Sequence, residues 1–149
     1  MMLSLFAVII AFSPGSAESE VIKAVNASRH TLDIAAYSFT SSPIAAAIEA
    51  AAKRGVIIRA VIDDKHRGEK GSIAPRVAAA GGSVRFDSKH AIQHDKFMIV
   101  DGSTVETGSF NYTYSAAHSN AENVVILGDP AVAGAYSAEF LRHWAHSAQ

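Results

Sequence analysis

The run Val56–Ile62, VIIRAVI, constrains the fold more than any other stretch. It is β-branched almost throughout and has no polar–apolar alternation. A strand of this kind has no face to offer water, so both faces need cover. That places it inside a sheet flanked by helices. Asn123–Leu127, NVVIL, reads as a second buried strand of the same type.

The surrounding chain supplies the cover. Ser16 to Ser28 reads as a helix, with Ser16 as its cap, Glu18 and Glu20 in the first turn, and Val21, Ile22, Ala24 and Val25 as its apolar side. Thr31 to Tyr37 reads as a strand. Ser42-Pro43 caps and opens an alanine-rich helix that closes on Lys53-Arg54 and Gly55. Met1 to Phe12 is an apolar run with two readings, a signal-like segment or a first strand over Leu3 to Phe12. With that strand, the first half is strand–helix–strand–helix–strand, the pattern of parallel α/β sheets. Asp63 to Ser72 is a polar loop, followed by a short helix over Ile73 to Ala80 and a short strand over Ser83 to Phe86. Asp129-Pro130 opens a last helix to about His146, with Tyr136, Phe140, Leu141 and Trp144 as its packing side. The expected fold is a single domain over residues 1–149: a mixed, largely parallel central sheet with helices on both faces.

The chain of 149 residues is long enough to bury a core without staples. A net charge of −1 gives no global field toward nucleic acid or anionic lipid, so polyanion binding has to come from a local patch. There is no cysteine, hence neither a disulfide nor a thiolate metal site, and cysteine says nothing about compartment.

The chemistry concentrates between His94 and Glu122. If Gln93 to Val100 is a strand, His94, Lys96, Met98 and Val100 share one face, while Asp95, Phe97, Ile99 and Asp101 take the other. His94 and Lys96 then converge on one substrate. Asp101 has the wrong parity and lies about 20 Å further along. Its expected role is support, as a turn with Gly102 or as an anchor for neighbouring backbone. Gly102-Ser103 separates FMIV from TVET as a hairpin does. Gly108 allows close backbone approach to a ligand. Ser109 and Asn111, two apart, face one side as donors. Lys96, Ser109 and Asn111 together could hold a phosphoryl oxygen and stabilise charge developing on it. His94 can act as nucleophile or proton carrier near neutral pH. Glu122 could fix its tautomer from the far ring nitrogen.

His94-x-Lys96-x4-Asp101-x6-Gly108-Ser109-x-Asn111 resembles the signature of the phospholipase D superfamily, in its small, single-motif bacterial endonuclease branch. Phe12-Ser13-Pro14, Ala36-Tyr37-Ser38-Phe39-Thr40, Lys53-Arg54-Gly55-Val56, Val61-Ile62-Asp63 and Ile92-Gln93-His94 are similar to that branch too. The resemblance implies a phospholipase D-like α-β-α sandwich and phosphodiester hydrolysis without metal or other cofactor. It implies that one histidine attacks phosphorus to form a phosphohistidine, while a second protonates the leaving oxygen and then activates water. With one motif per chain, His94 from each of two chains would meet at a twofold axis, giving a homodimer with a shared site. Lys96, Ser109 and Asn111 would bind phosphate, and Glu122 would orient His94. The substrate would be DNA, with RNA not separated from it. The branch is exported, which implies a periplasmic or secreted location, with the cytoplasm as the alternative.

Three other readings compete. A lipid phosphodiesterase with the same core would need an apolar rim, for which the N-terminal run is the one candidate. A nucleic-acid-binding module without catalysis fits poorly with the full set from His94 to Glu122. A zinc site on His90 and His94 needs helical spacing, where the sequence reads strand. His30, His66, His118, His143 and His146 are expected at the surface or at helix ends, with His118 the nearest of them in sequence to the motif.

Overall fold

The computed structural model describes residues 7–149; the expectation for Leu3–Phe6 falls outside the described residues. Seven strands form one sheet: β1 (Ala7–Ser13), β2 (Thr31–Ala36), β3 (Ile57–Asp63), β4 (Ser83–Asp87), β5 (Phe97–Val100), β6 (Thr104–Gly108) and β7 (Glu122–Gly128). Their order across the sheet is β1-β7-β6-β5-β2-β3-β4. Five helices accompany them: α1 (Ala17–Ala27), α2 (Ser42–Lys53), α3 (Ala74–Ala79), α4 (Tyr114–His118) and α5 (Pro130–His146).

The mixed sheet between helical layers is as expected, but its parallel part is smaller. Only β2-β3 and β3-β4 run parallel. The pairs β1-β7, β7-β6, β6-β5 and β5-β2 are antiparallel. The reason is connection length. A parallel neighbour needs a crossover, which α2 and α3 supply, whereas the turn at Asp101–Ser103 can only fold β6 back on β5. Nor does β1 open a parallel series. It crosses the sheet to the far edge and pairs with β7, Ser13 opposite Glu122.

Strand parity divides the core in two. Leu32, Ile34, Ala36, Ile58, Ala60, Ile62, Met98 and Val100 face α1 and α2, where Val21, Val25, Ile44 and Ile48 are fully buried. Ala35, Val61, Phe97, Ile99 and Val105 face α5 through Ala133 and Phe140. The two-faced burial of β2 and β3 explains why neither sequence alternates. Within α5, Leu141 is exposed and does not join the packing side. Its place is taken by Val132 and Ala133, with Tyr136, Phe140 and Trp144 as expected. The cap of α2 is Ser41 rather than Ser42; its hydroxyl accepts from Ile44 N–H at 3.3 Å. Arg59 on β3 forms a two-toothed ion pair with Asp33 on β2 at 2.7 Å and lies over the rings of Phe140 and Trp144. That planar match of guanidinium, carboxylate and aromatic faces holds α5 on its side of the sheet.

One end of the sheet gathers the functional segments. The C-terminal ends of β2, β3 and β6 meet the N-terminal ends of β5 and β7 there. Open α/β sheets bind ligands beyond the carboxyl ends of their parallel strands.

Candidate active site

His94 and Lys96 sit in an irregular segment that enters β5; the strand itself begins at Phe97, four residues later than expected. Period-two geometry therefore holds from Phe97 onward and does not by itself align His94 with Lys96. Convergence comes from packing instead. The His94 ring stands edge-on to Tyr37 at 4.7 Å between centroids, and Lys96 Nζ lies 5.6 Å from the same ring. Lys96 Nζ also donates to the His94 carbonyl at 2.7 Å. Tyr37, just beyond β2, is thus a shared wall for the two residues. Its place in the Ala36–Thr40 segment was visible in the sequence, but its contact with His94 was not.

His94 is exposed and Lys96 is buried. Burial lowers the Lys96 pKa from the ordinary lysine value, and the charges of Asp95 and Glu122 partly oppose that shift. The two residues open onto a groove of about 430 Å³ whose walls include Phe97, Thr107, Gly108 and Tyr136.

Gln93 and Asp63 hold this segment in place; both fall in segments similar to the family, but the sequence assigns neither a role. Both are buried. Asp63 ends β3 and accepts from Gln93 N–H at 2.6 Å and Lys65 N–H at 3.0 Å. The Gln93 side chain donates to the Ala36 carbonyl at 3.1 Å and accepts from Asp95 N–H at 2.7 Å. A carboxylate after the apolar run VII-R-AVI is the signal that could have pointed to Asp63, because burying it demands partners.

Thr107 and Gly108 line the groove, and the turn to Asn111 follows them. Gly108 has φ 151°, and a Cβ built there would lie 2.1 Å from the Asn123 carbonyl oxygen. The glycine therefore serves close contact with β7, not approach to a ligand. Ser109 is locked to the same strand. Its hydroxyl donates to Glu122 and accepts from Asn123 N–H at 3.0 Å, and its N–H donates to the Asn123 carbonyl at 3.1 Å. Asn111 Oδ1 is buried without a hydrogen-bond partner among the described residues. As an acceptor it cannot hold a phosphate oxygen, which would fall to the Nδ2 hydrogens. Within one chain Glu122 is bound by Ser109 and by Asn120 Nδ2 at 3.1 Å, not by His94. The expected His94–Glu122 contact is therefore not made inside the described residues.

Asp101 adopts φ 53° at the β5–β6 turn, beside Gly102 at 64°. Its carboxylate accepts from the N–H groups of Arg29, His30 and Thr31 at 2.7–3.1 Å. Burial would raise its pKa, but these backbone donors outweigh burial and hold it below the usual carboxylate range. Asp101 anchors the start of β2 at the end of β5 away from His94.

Of the other histidines, His118 stacks on Tyr114 at the surface. His66 packs edge-on against Tyr37 at 4.3 Å, on the ring that also meets His94, and its Nδ1 is 2.9 Å from Glu69. His143 lies in the last turn of α5, at a helix end as expected, but it is buried, at 4% exposure, among carboxylates. The four-residue step to His94 gives His90 no shared ligand set with it, since that stretch is not helical.

An exposed imidazole and a buried ammonium thus open onto one groove at this end of the sheet. Comparison with known proteins shows the family. A family model described as "Cardiolipin synthase, PLD-like domain" matches residues 21–144. The chain belongs to this phospholipase D-like family. Nuc from Salmonella typhimurium, described as a phospholipase D family member, is 39% identical and superposes with a TM-score of 0.92, covering 96% of this chain and 97% of that one. NucT from Helicobacter pylori, 22% identical with a TM-score of 0.89, shares the fold. Mitochondrial cardiolipin hydrolases from Xenopus laevis and Homo sapiens are 34% and 36% identical over 129 residues, 87% of this chain. The chain spans 61% and 51% of the length of those two relatives.

Proposed function

We propose that the chain is a DNA endonuclease of low sequence preference that works as a homodimer through a phosphohistidine. One observation carries this reading. Each chain brings a single exposed His94 with one set of Lys96, Ser109 and Asn111, so half of a two-histidine site stands at the protein surface. The neighbouring edge supports pairing. β1 is an edge strand, and its Val8, Ile10 and Phe12 are 53%, 66% and 61% exposed. Bare apolar strands at a sheet edge favour association with another chain.

In the proposed reaction a ring nitrogen of one His94 forms a bond to phosphorus. The bond from phosphorus to the leaving oxygen breaks, and the partner's His94 gives that oxygen its proton. The now neutral second imidazole takes a proton from water, whose oxygen displaces the first histidine from phosphorus. Lys96 and the Asn111 amide neutralise charge on the non-bridging oxygens. No step calls for a metal ion. Exposed Lys65 and Lys70, in the loop after β3, would add contacts to a polyanionic backbone and make binding salt-dependent. An exported location agrees with the branch the motif resembles.

A lipid reading has its own support. The relatives named mitochondrial cardiolipin hydrolase share over 30% identity, and the apolar β1 residues could border a lipid as readily as a second chain. Side-by-side assays on plasmid DNA and on cardiolipin vesicles, with EDTA present and light scattering on the same samples, separate the readings. DNA cleavage by a dimer, lost by more than about a thousandfold in His94→Ala, is expected. Cleavage of cardiolipin without DNA cleavage would replace the substrate, and an active monomer would remove the shared site.

A further inference from the structure

Four side chains converge where β4 ends. Asp87, the last residue of β4, is 1% exposed. Its Oδ2 has three imidazole nitrogens around it: His90 Nδ1 at 2.8 Å, His146 Nε2 at 3.0 Å and His143 Nδ1 at 3.3 Å. Its Oδ1 is already occupied, accepting from the N–H groups of Lys89 at 2.8 Å and His90 at 3.4 Å. One ligand atom from each of the four residues lies within 4.8 Å of all the others. Asp87 ends β4, and His90 lies in the loop that follows it. His143 and His146, three apart, share one face of the last turns of α5.

Hydrogen bonding alone does not account for this arrangement. A carboxylate oxygen offers about two lone-pair sites, and three imidazoles surround this one. Four donors bound to one ion at about 2.0–2.1 Å in a tetrahedron stand about 3.3–3.4 Å apart. The three separations from Asp87 Oδ2 already fall at or inside that length. The far nitrogen of His143 is informative as well. Nε2 lies 3.1 Å from Asp95 Oδ2 and 3.2 Å from Glu139 Oε1. With Nε2 turned to those acids, Nδ1 faces the Asp87 oxygen, where a cation can be shared between them, and a carboxylate on the far nitrogen is the usual support of a metal-bound histidine.

We propose that Asp87, His90, His143 and His146 form a structural site for a divalent transition metal of the Zn²⁺ class, clamping the end of α5 to the end of β4. The donor set of three imidazoles and one carboxylate suits Zn²⁺ and its chemical neighbours. Four protein donors leave no open coordination position, which marks a structural site, not a catalytic one. The clamp reinforces a suture already present, where Phe86 and Ala148 exchange backbone hydrogen bonds at 2.7 and 3.1 Å. Through His143 and Asp95 it also reaches the residue between His94 and Lys96. The ion takes no part in attack on phosphorus, so this inference stands or falls apart from the proposed reaction.

The test uses the whole chain, stripped with EDTA, dialysed, and titrated with Zn²⁺ or with Co²⁺. One equivalent per chain should bind, and Co²⁺ should show the intense visible absorption of a tetrahedral site. Free Zn²⁺ at a hundred times its Kd should raise Tm by about 5–10 °C. His90→Gln and His146→Gln should each weaken binding at least about tenfold and lose the Tm rise, while His118→Gln keeps both. All three should keep the diesterase activity of the stripped protein. Failure to bind one equivalent, an octahedral Co²⁺ spectrum, or unchanged affinity in both His90→Gln and His146→Gln overturns the site.

Discussion

The Tyr112 hydroxyl donates to the Glu106 carboxyl group at 2.7 Å, with both side chains buried. The pair sits just behind the Gly108–Asn111 turn. Glu106 precedes Thr107–Ser109, and Tyr112 follows Asn111. The Tyr112 carbonyl accepts from Thr40 and Ser41 N–H at 2.9 and 2.8 Å, which ties the turn to the segment after Tyr37. Burial pushes the Glu106 pKa up to about 8, with the Tyr112 hydrogen bond pulling weakly the other way.

That shift predicts a pH dependence of stability. Glu106 keeps its proton in the folded chain up to about pH 8, while the unfolded chain gives it up near the ordinary value of 4.5. Between those limits the folded state holds the extra proton. Stability from this group is therefore full below the unfolded value and is lost as pH rises through the folded one, at a slope of up to about 1.4 kcal/mol per pH unit. Glu106→Gln keeps an acceptor for Tyr112 and has no proton to lose. Urea unfolding from pH 5 to pH 9 should show a shallower decline in the variant and greater stability than wild type at the alkaline end. Parallel curves would contradict the buried, protonated state.

Gly108→Ala should be strongly destabilising. Its Cβ would lie 2.1 Å from the Asn123 carbonyl oxygen at φ 151°, so β6 and β7 must part. A loss of about 3 kcal/mol or more in urea unfolding is expected, together with reduced turnover as Ser109 shifts. A wild-type midpoint would show that the two strands can separate at little cost.

Asp101→Ala should cost about 1–3 kcal/mol by leaving three backbone N–H groups without their acceptor. Asp101 is remote from His94 along β5, so activity per folded molecule should stay close to wild type. Stability and kcat measured on the same preparation check both halves. A selective fall in kcat would bring Asp101 into the reaction.

His66→Ala distinguishes a shared site from a single-chain one. His66 and His94 flank the same tyrosine, Tyr37, which makes His66 a better in-chain rival for the second histidine than His118. If the partner's His94 supplies the proton, His66→Ala should lose less than about tenfold. A general acid removed outright costs about a hundredfold or more. Rates at saturating substrate decide between the two.

Local signals carried much of this protein. Capping residues, prolines at helix starts and unbroken β-branched runs marked the helices and most strands, because each depends on neighbours within a few residues. The hairpin turn marked β5 and β6 as antiparallel, yet the placing of β1 beside β7 could not be read, since strand order depends on which edges remain free once the core has formed. The same limit applied to the site. His94, Lys96, Ser109 and Asn111 stood out by chemical type and spacing. The strand expected to align His94 with Lys96 starts too late to do so, and Tyr37, Gln93 and Asp63 perform that alignment from β2, the entry loop and β3.

The sequence by itself determined the chemistry available: one imidazole, one ammonium and a small set of amides and hydroxyls next to a glycine, on a chain able to bury a two-faced sheet. The tertiary structure decided what each group does. It gave Gly108 to Asn123, Glu122 to Ser109 and Asp101 to the backbone of β2, and it gathered His90, His143 and His146 around Asp87. Periodicity and spacing reach only a few residues along the chain. Contacts between residues 56 positions apart, such as Asp87 and His143, exist only once the sheet has closed over its helices.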